Sequence, residues 1–175
     1  VVVDDQEMAI THVIRGDDGI PNTPKQLALQ EALGFKHPHY AHIPLILDTD
    51  RAKMSKRNAA TALKEYRDAG YLPEAMVNFL ALLGWHPIDN RETFTADELA
   101  HAFNIERVQK AGAVFSIEKL NWINAHYIKK ISDTAIALKI GWEPTEKNIR
   151  IVALLKSRAQ TLNDFKTHGA LFFHL

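Results

Sequence analysis

The sequence predicts an α/β segment followed by an all-α segment. Two observations carry this. In the first 47 residues, apolar β-type runs flank a single helical stretch, and from about residue 58 apolar side chains recur at spacings of three and four. The capping signals and glycines between the runs set the element order.

Val1-Val2-Val3 and Ala9 to Ile14 read as β-strands because β-branched residues pack well on a pleated surface. The second run ends in Arg15-Gly16-Asp17-Asp18-Gly19, which favours a turn. Asn22-Thr23-Pro24-Lys25-Gln26 opens a helix, with Thr23 as cap, Pro24 in the first turn and Gln26 completing a capping box. Gly34 ends that helix. Residues 41 to 47 then form a second buried strand. Strand, helix, strand implies a parallel βαβ unit, with functional loops at the carboxyl ends of its strands.

Beyond the second strand the pattern is helical only. Helices are expected over Thr61 to Ala69 and Pro73 to Leu83, from the Thr95-Ala96-Asp97-Glu98 capping box through Phe103, and from Ser116 to about Tyr127. Asn148 to Phe165 reads as one further long amphipathic helix. The expected divisions are 1–57, 58–130 and 131–175. Trp85, Trp122 and Trp142 sit among aliphatic residues and are expected in the core.

Composition narrows the function. The 175 residues are 46% hydrophobic, carry zero formal net charge and contain no cysteine. Disulfides and thiolate metal sites are excluded, which suits a cytoplasmic protein. No apolar run approaches the roughly 20 residues of a membrane-spanning helix. Zero net charge argues against a uniformly basic nucleic-acid binder, but Arg51, Lys53, Lys56 and Arg57 make a local positive surface. The abrupt apolar ends, Val1-Val2-Val3 and Ala170 to Leu175, read as those of an internal piece of a longer chain.

Two loops carry chemistry. In Lys53-Met54-Ser55-Lys56-Arg57, the ammonium groups of Lys53 and Lys56 and the hydroxyl of Ser55 suit a loop that neutralises charge building on a leaving pyrophosphate. A solvated basic loop is the plainer reading of the five residues alone. Arg15, at a strand end, suits bidentate binding of a substrate carboxylate, or else an ion pair with Asp17 or Asp18. Those aspartates suit a ribose hydroxyl or a Mg²⁺-bound water. His37, His39 and His42 lack a carboxylate at helical spacing, so no metal site is expected from them.

Taken together, Val2-Val3-Asp4-Asp5, Ile10-Thr11-His12-Val13-Ile14-Arg15-Gly16, Asn22-Thr23-Pro24-Lys25-Gln26, Lys53-Met54-Ser55-Lys56-Arg57, Glu65-Tyr66-Arg67, Gly70-Tyr71-Leu72-Pro73-Glu74-Ala75 and Leu82-Leu83-Gly84-Trp85 resemble bacterial-type glutamyl-tRNA synthetase, a class I aminoacyl-tRNA synthetase. The resemblance is strong over residues 1 to about 128. It implies the C-terminal half of a class I Rossmann-like nucleotide-binding domain in 1–57, a helical stem-contact domain in 58–130 and the start of a helical anticodon-binding domain in 131–175.

The implied activity is that of a glutamate–tRNA ligase of protein biosynthesis. It uses ATP and Mg²⁺ to form glutamyl-adenylate and transfers glutamate to the 3′ end of tRNA(Glu), in a monomeric, cytoplasmic parent enzyme. By the resemblance, Arg15 contacts the substrate L-glutamate. Lys53, Ser55 and Lys56 act on the pyrophosphate end of ATP, and Leu45 and Ile46 lie against adenine. Asp18 is taken as an ATP contact from its place in the turn after the strand, not from the resemblance. Gly19 departs from the family, where a bulkier residue, often His, is common. The His-Ile-Gly-His type motif is absent, so the isolated chain is expected to be inactive. The rival readings are an RNA-binding helical module and a glutaminyl-tRNA synthetase-like paralogue, in which β-barrels rather than helices follow the loop.

Overall fold

The computed structural model describes residues 1–54 and 62–173. Its first element is a helix, α1 (Val2–Glu7), where β-branched propensity predicts a strand. Strand propensity is a weak prior. Asp4 and Asp5 occupy the first turn, where the helix dipole favours negative charge, and Val2 is buried. Ala9, at φ 53°, ends this segment. The following strand β1 (His12–Gly16) therefore begins later than the apolar run suggests.

A 3-10 turn (Asp17–Asn22) leads into α2 (Thr23–Ala32), and Gly34, at φ 68°, ends the helical segment as expected. Thr23 is not the cap. Asn22 holds that position without a side-chain hydrogen bond, and the Thr23 hydroxyl turns to the site described below. The apolar stretch at 41–47 is two strands, β2 (His39–Ile43) and β3 (Ile46–Leu47). Pro44, with no N–H to donate, lies in the break between them. β1 and β2 pair in parallel with Arg15 opposite His42, which establishes the βαβ unit.

Among its described residues, the second segment is mainly helical. α3 (Leu63–Asp68), α4 (Pro73–Gly84), α5 (Ala96–Ala102) and α6 (Ile117–Lys130) follow the expected pattern. Thr95 and Glu98 form their capping box, and Ser116 accepts from the Lys119 N–H. The segment also contains a short strand β4 (Ala113–Val114), parallel to β3, whose two residues are too few to carry a period. Gly112 precedes it where a Cβ would stand 2.8 Å from Leu47 Cδ1.

The expected helix at 148–165 is two helices. α7 (Asp133–Lys139), capped by Ser132, comes first, then α8 (Glu146–Leu155) and α9 (Leu162–Gly169). Asp164 accepts from the Gln160 and Thr161 N–H groups at 2.7 and 2.9 Å, which starts a new helix instead of continuing the old one.

One apolar core runs from Tyr66 to Phe165, with Phe79, Trp85, Leu120, Ile123, Ile128 and Ile136 almost fully enclosed. Each such side chain contributes about 1.5–3 kcal/mol. Two buried asparagines pin the helices. Asn78 accepts from the Phe94 N–H at 2.6 Å, and Asn124 accepts from the Leu72 N–H at 2.8 Å and donates to the Gln160 carbonyl at 2.5 Å. Of the tryptophans expected inside, Trp85 is enclosed and Trp142 half-buried, but Trp122 is 51% exposed on α6. Its helical position turns it away from the Leu120 and Ile123 stripe.

Candidate active site

The parallel sheet sorts its side chains by alternation. Val13, Arg15, Tyr40 and His42 share one face, over which α2 lies, with Gln30 of that helix donating to the Tyr40 hydroxyl at 3.3 Å. Ile14, Ala41 and Ile43 share the other, where an apolar cleft of about 250 Å³ runs to Leu80, Trp85 and Phe103. The polar chemistry is therefore on the α2 side.

Arg15, at the carboxyl end of β1, is held from four sides. Its Nε donates to His42 Nε2 at 3.2 Å, and its Nη2 donates to the Gly19 carbonyl at 3.1 Å and to Thr23 Oγ1 at 2.8 Å. The guanidinium lies over the Tyr40 ring at 5.3 Å, a cation–π contact. Gly19 makes this possible, because a Cβ there would stand 2.5 Å from Arg15 Nε. Among the described residues, the two N–H groups of Nη1 have no hydrogen-bond partner.

The loop after β3 returns toward this cradle. Asp48 Oδ1 accepts from the Asp50 and Ala52 N–H groups at 3.0 and 2.9 Å, Arg51 takes φ 61°, and Lys53 pairs back with Leu47. Lys53 Nζ then meets Asp18 Oδ2 at 2.7 Å. The hydrogen bond and charge of Lys53, with a smaller contribution from Arg15, hold the Asp18 carboxyl below the usual aspartate range. Ser55 and Lys56 lie outside the described residues.

Leu45 packs against Gly16, with its Cδ2 3.7 Å from where a Cβ would stand. The Leu45 carbonyl accepts from the Ala113 N–H at 3.3 Å, and the Ile46 carbonyl accepts from the Met54 N–H at 3.1 Å. Each carbonyl keeps a second lone pair. The structure thus brings Arg15, Asp18 and Lys53 to one end of the strands.

His42, Thr23, Gly19 and Tyr40 are the residues that sequence reasoning missed. A usable signal existed for His42, since pairing two parallel strands across a crossover helix can place it beside Arg15. Thr23 gave a misleading signal because its place before Pro24 is that of a helix cap.

A family model described as tRNA synthetases class I (E and Q), catalytic domain, matches residues 1–122. The glutamate–tRNA ligase of Carboxydothermus hydrogenoformans is 45% identical over 187 residues, covering 99% of this chain and 39% of that protein. The glutamate–tRNA ligase of Thermodesulfovibrio yellowstonii is 49% identical over 188 residues, covering 100% and 40%. Among solved structures, a glutamate tRNA ligase from Elizabethkingia meningosepticum in complex with its amino acid superposes with a TM-score of 0.85 at 36% identity, covering 98% of this chain and 39% of that one. The chain thus spans about 40% of the length of these relatives. With a family model matched over residues 1–122 and relatives 45% and 49% identical along nearly the whole chain, the chain belongs to the class I tRNA synthetase family for glutamate and glutamine.

Proposed function

We propose that this chain supplies the carboxyl-terminal part of the active site of a glutamate–tRNA ligase, which forms glutamyl-adenylate from L-glutamate and ATP and transfers glutamate to the 3′ end of tRNA(Glu). The observation that carries the reading is that the Arg15 cradle and Lys53 meet at one end of the parallel strands, joined through Asp18. Arg15 receives the side-chain carboxylate of glutamate. The α-carboxylate oxygen then bonds to the α-phosphorus of ATP as the bond to the bridging oxygen of pyrophosphate breaks. Lys53 and Lys56 neutralise the charge that gathers on that leaving group, and Ser55 donates a hydrogen bond to it.

Leu45 and Ile46 offer backbone edges to adenine, and Asp18 an acceptor to the ribose. Mg²⁺ arrives as part of the ATP complex, held by phosphate oxygens, as is usual for this small, strongly hydrated ion. Among the described residues no group of three or more His, Cys, Asp or Glu side chains could hold a metal ion. Among the described residues no helix is long and apolar enough to cross a membrane. We place the parent enzyme in the cytoplasm as a monomer. Residues 58–130 serve as the stem-contact domain and 131–175 begin the anticodon-binding domain, the two sharing the core that runs from Tyr66 to Phe165.

The test is a chimera in which these 175 residues replace the matching stretch of the Carboxydothermus ligase. It should charge tRNA(Glu) with glutamate, and Lys53→Ala and Arg15→Ala should each reduce charging by about a hundredfold or more. The isolated chain should show no glutamate-dependent ATP–pyrophosphate exchange. A folded chimera that charges glutamine, or nothing, overturns the reading.

A further inference from the structure

We infer that His42 and Thr23 are positioning residues for Arg15, and that the substrate carboxylate is received on Arg15 Nη1 while Nε and Nη2 stay engaged with the protein. The inference rests on the proposed glutamate-activating function for its substrate half, and on the geometry alone for its positioning half.

A guanidinium has five N–H donors in a fixed plane. Three of them are committed here. Nε–H points at His42 Nε2, and the two hydrogens of Nη2 serve the Gly19 carbonyl and Thr23 Oγ1. The Thr23 hydroxyl accepts from Arg15, so its own proton goes either to the Gly19 carbonyl at 3.3 Å or to His42 Nε2 at 3.2 Å. With Nε donating into it, His42 Nε2 must present a lone pair, which puts the imidazole proton on Nδ1. The ring is held parallel to Tyr40, 6° off and 6.4 Å away, and Tyr40 also underlies the guanidinium.

These contacts fix the plane of the guanidinium, which rotates freely on an unconstrained arginine. They leave Nη1 as the donor pair without a partner among the described residues. A free arginine would lose several rotamers on meeting a carboxylate, whereas one already held in place loses less. The effect of His42 therefore falls on glutamate binding, with ATP binding unaffected.

Two measurements test this. In the 175-residue chain, the ¹⁵N resonance of His42 Nε2 should be that of an unprotonated ring nitrogen, with the proton on Nδ1. In the chimera, His42→Ala should raise KM for glutamate about tenfold, the loss of one hydrogen bond to a charged group. KM for ATP and kcat should stay within about twofold. His42→Gln, whose Oε1 reaches the Nε2 position, should recover most of the loss, and Thr23→Ser should outperform Thr23→Val.

A protonated Nε2, an unchanged glutamate KM in His42→Ala, or a His42→Gln no better than His42→Ala overturns the positioning role. In each case a wild-type chimera that activates glutamate leaves the functional reading standing. A wild-type chimera that folds and activates nothing overturns that reading and the substrate half of the inference with it, while the nitrogen resonance still decides the cradle.

Discussion

Lys53 Nζ and Asp18 Oδ2 are 2.7 Å apart, so the loop that follows β3 is tethered to the turn that follows β1. The two side chains are 59% and 54% exposed, and such pairs are weak and screened by salt. A polyphosphate can compete Lys53 away from Asp18 at little cost.

The tether has a titration signature. The Asp18 carboxyl is held below its usual range by the hydrogen bond from Lys53 and then by its charge. A carboxylate with a lowered folded-state pKa contributes its tether above the ordinary aspartate value, and the contribution disappears as pH falls through the lowered value. At neutral pH the tether is intact. Lys53→Ala should move the Asp18 titration, followed by NMR, up toward the usual aspartate value, and added salt should move it the same way. An Asp18 titration indifferent to Lys53→Ala refutes the contact.

Gly19→Ala separates the site from the fold. The added methyl would stand 2.5 Å from Arg15 Nε and 2.8 Å from its Cδ, so the arginine side chain has to leave its cradle. The obstacle is a flexible side chain, and the fold can absorb the change. The expected outcome is a melting temperature within about 3 °C of wild type together with a glutamate KM raised about tenfold in the chimera. A large loss of melting temperature would place the glycine's role in the backbone instead.

The β1–α2–β2 unit was legible because its three signals agree: two apolar runs, Pro24 at the helix start and Gly34 at φ 68° just past its end. The caps at Thr95 and Ser116 were legible for the same reason, since a side-chain oxygen three residues before its target is a local arrangement. What escaped in the fold was local too, but masked by a competing local signal. The helix over Val2–Glu7 overrides a β-branched run, and the split between α8 and α9 depends on Asp164 reaching back to Gln160. At the site, Arg15, Asp18 and Lys53 announced themselves as charges at strand ends. His42 and Thr23 are ordinary in sequence and acquire meaning only across 27 and 8 residues from Arg15.

Asn78 was equally silent. Fully buried on α4, it accepts from the Phe94 N–H and from the Tyr127 hydroxyl at 2.8 Å, and donates to the Glu92 carbonyl at 2.9 Å. Asn78→Ala leaves the buried Phe94 N–H without that partner and opens a cavity in the core, and a buried orphan costs about 1–3 kcal/mol. The urea midpoint should fall by an amount equivalent to about 3 kcal/mol in all. A loss below about 1 kcal/mol would mean that water replaces the amide.

His126 on α6 should make stability depend on pH. Its Nε2 is buried with no partner among the described residues, and its ring stacks on Trp122 with centroids 6.2 Å apart. Burial, then the charges of Lys130 and Lys129, push its pKa below the usual histidine value. The unfolded chain, titrating near about 6.5, then binds the proton more readily than the folded one. The histidine's contribution is fully present above about pH 6.5 and declines as pH falls from there to the lowered folded-state value. His126→Gln removes the titrating group. Urea denaturation at pH 7.5 and pH 5.5 should therefore show a larger acid-side loss in the wild type than in His126→Gln, and equal losses in both would assign the pH dependence to other groups.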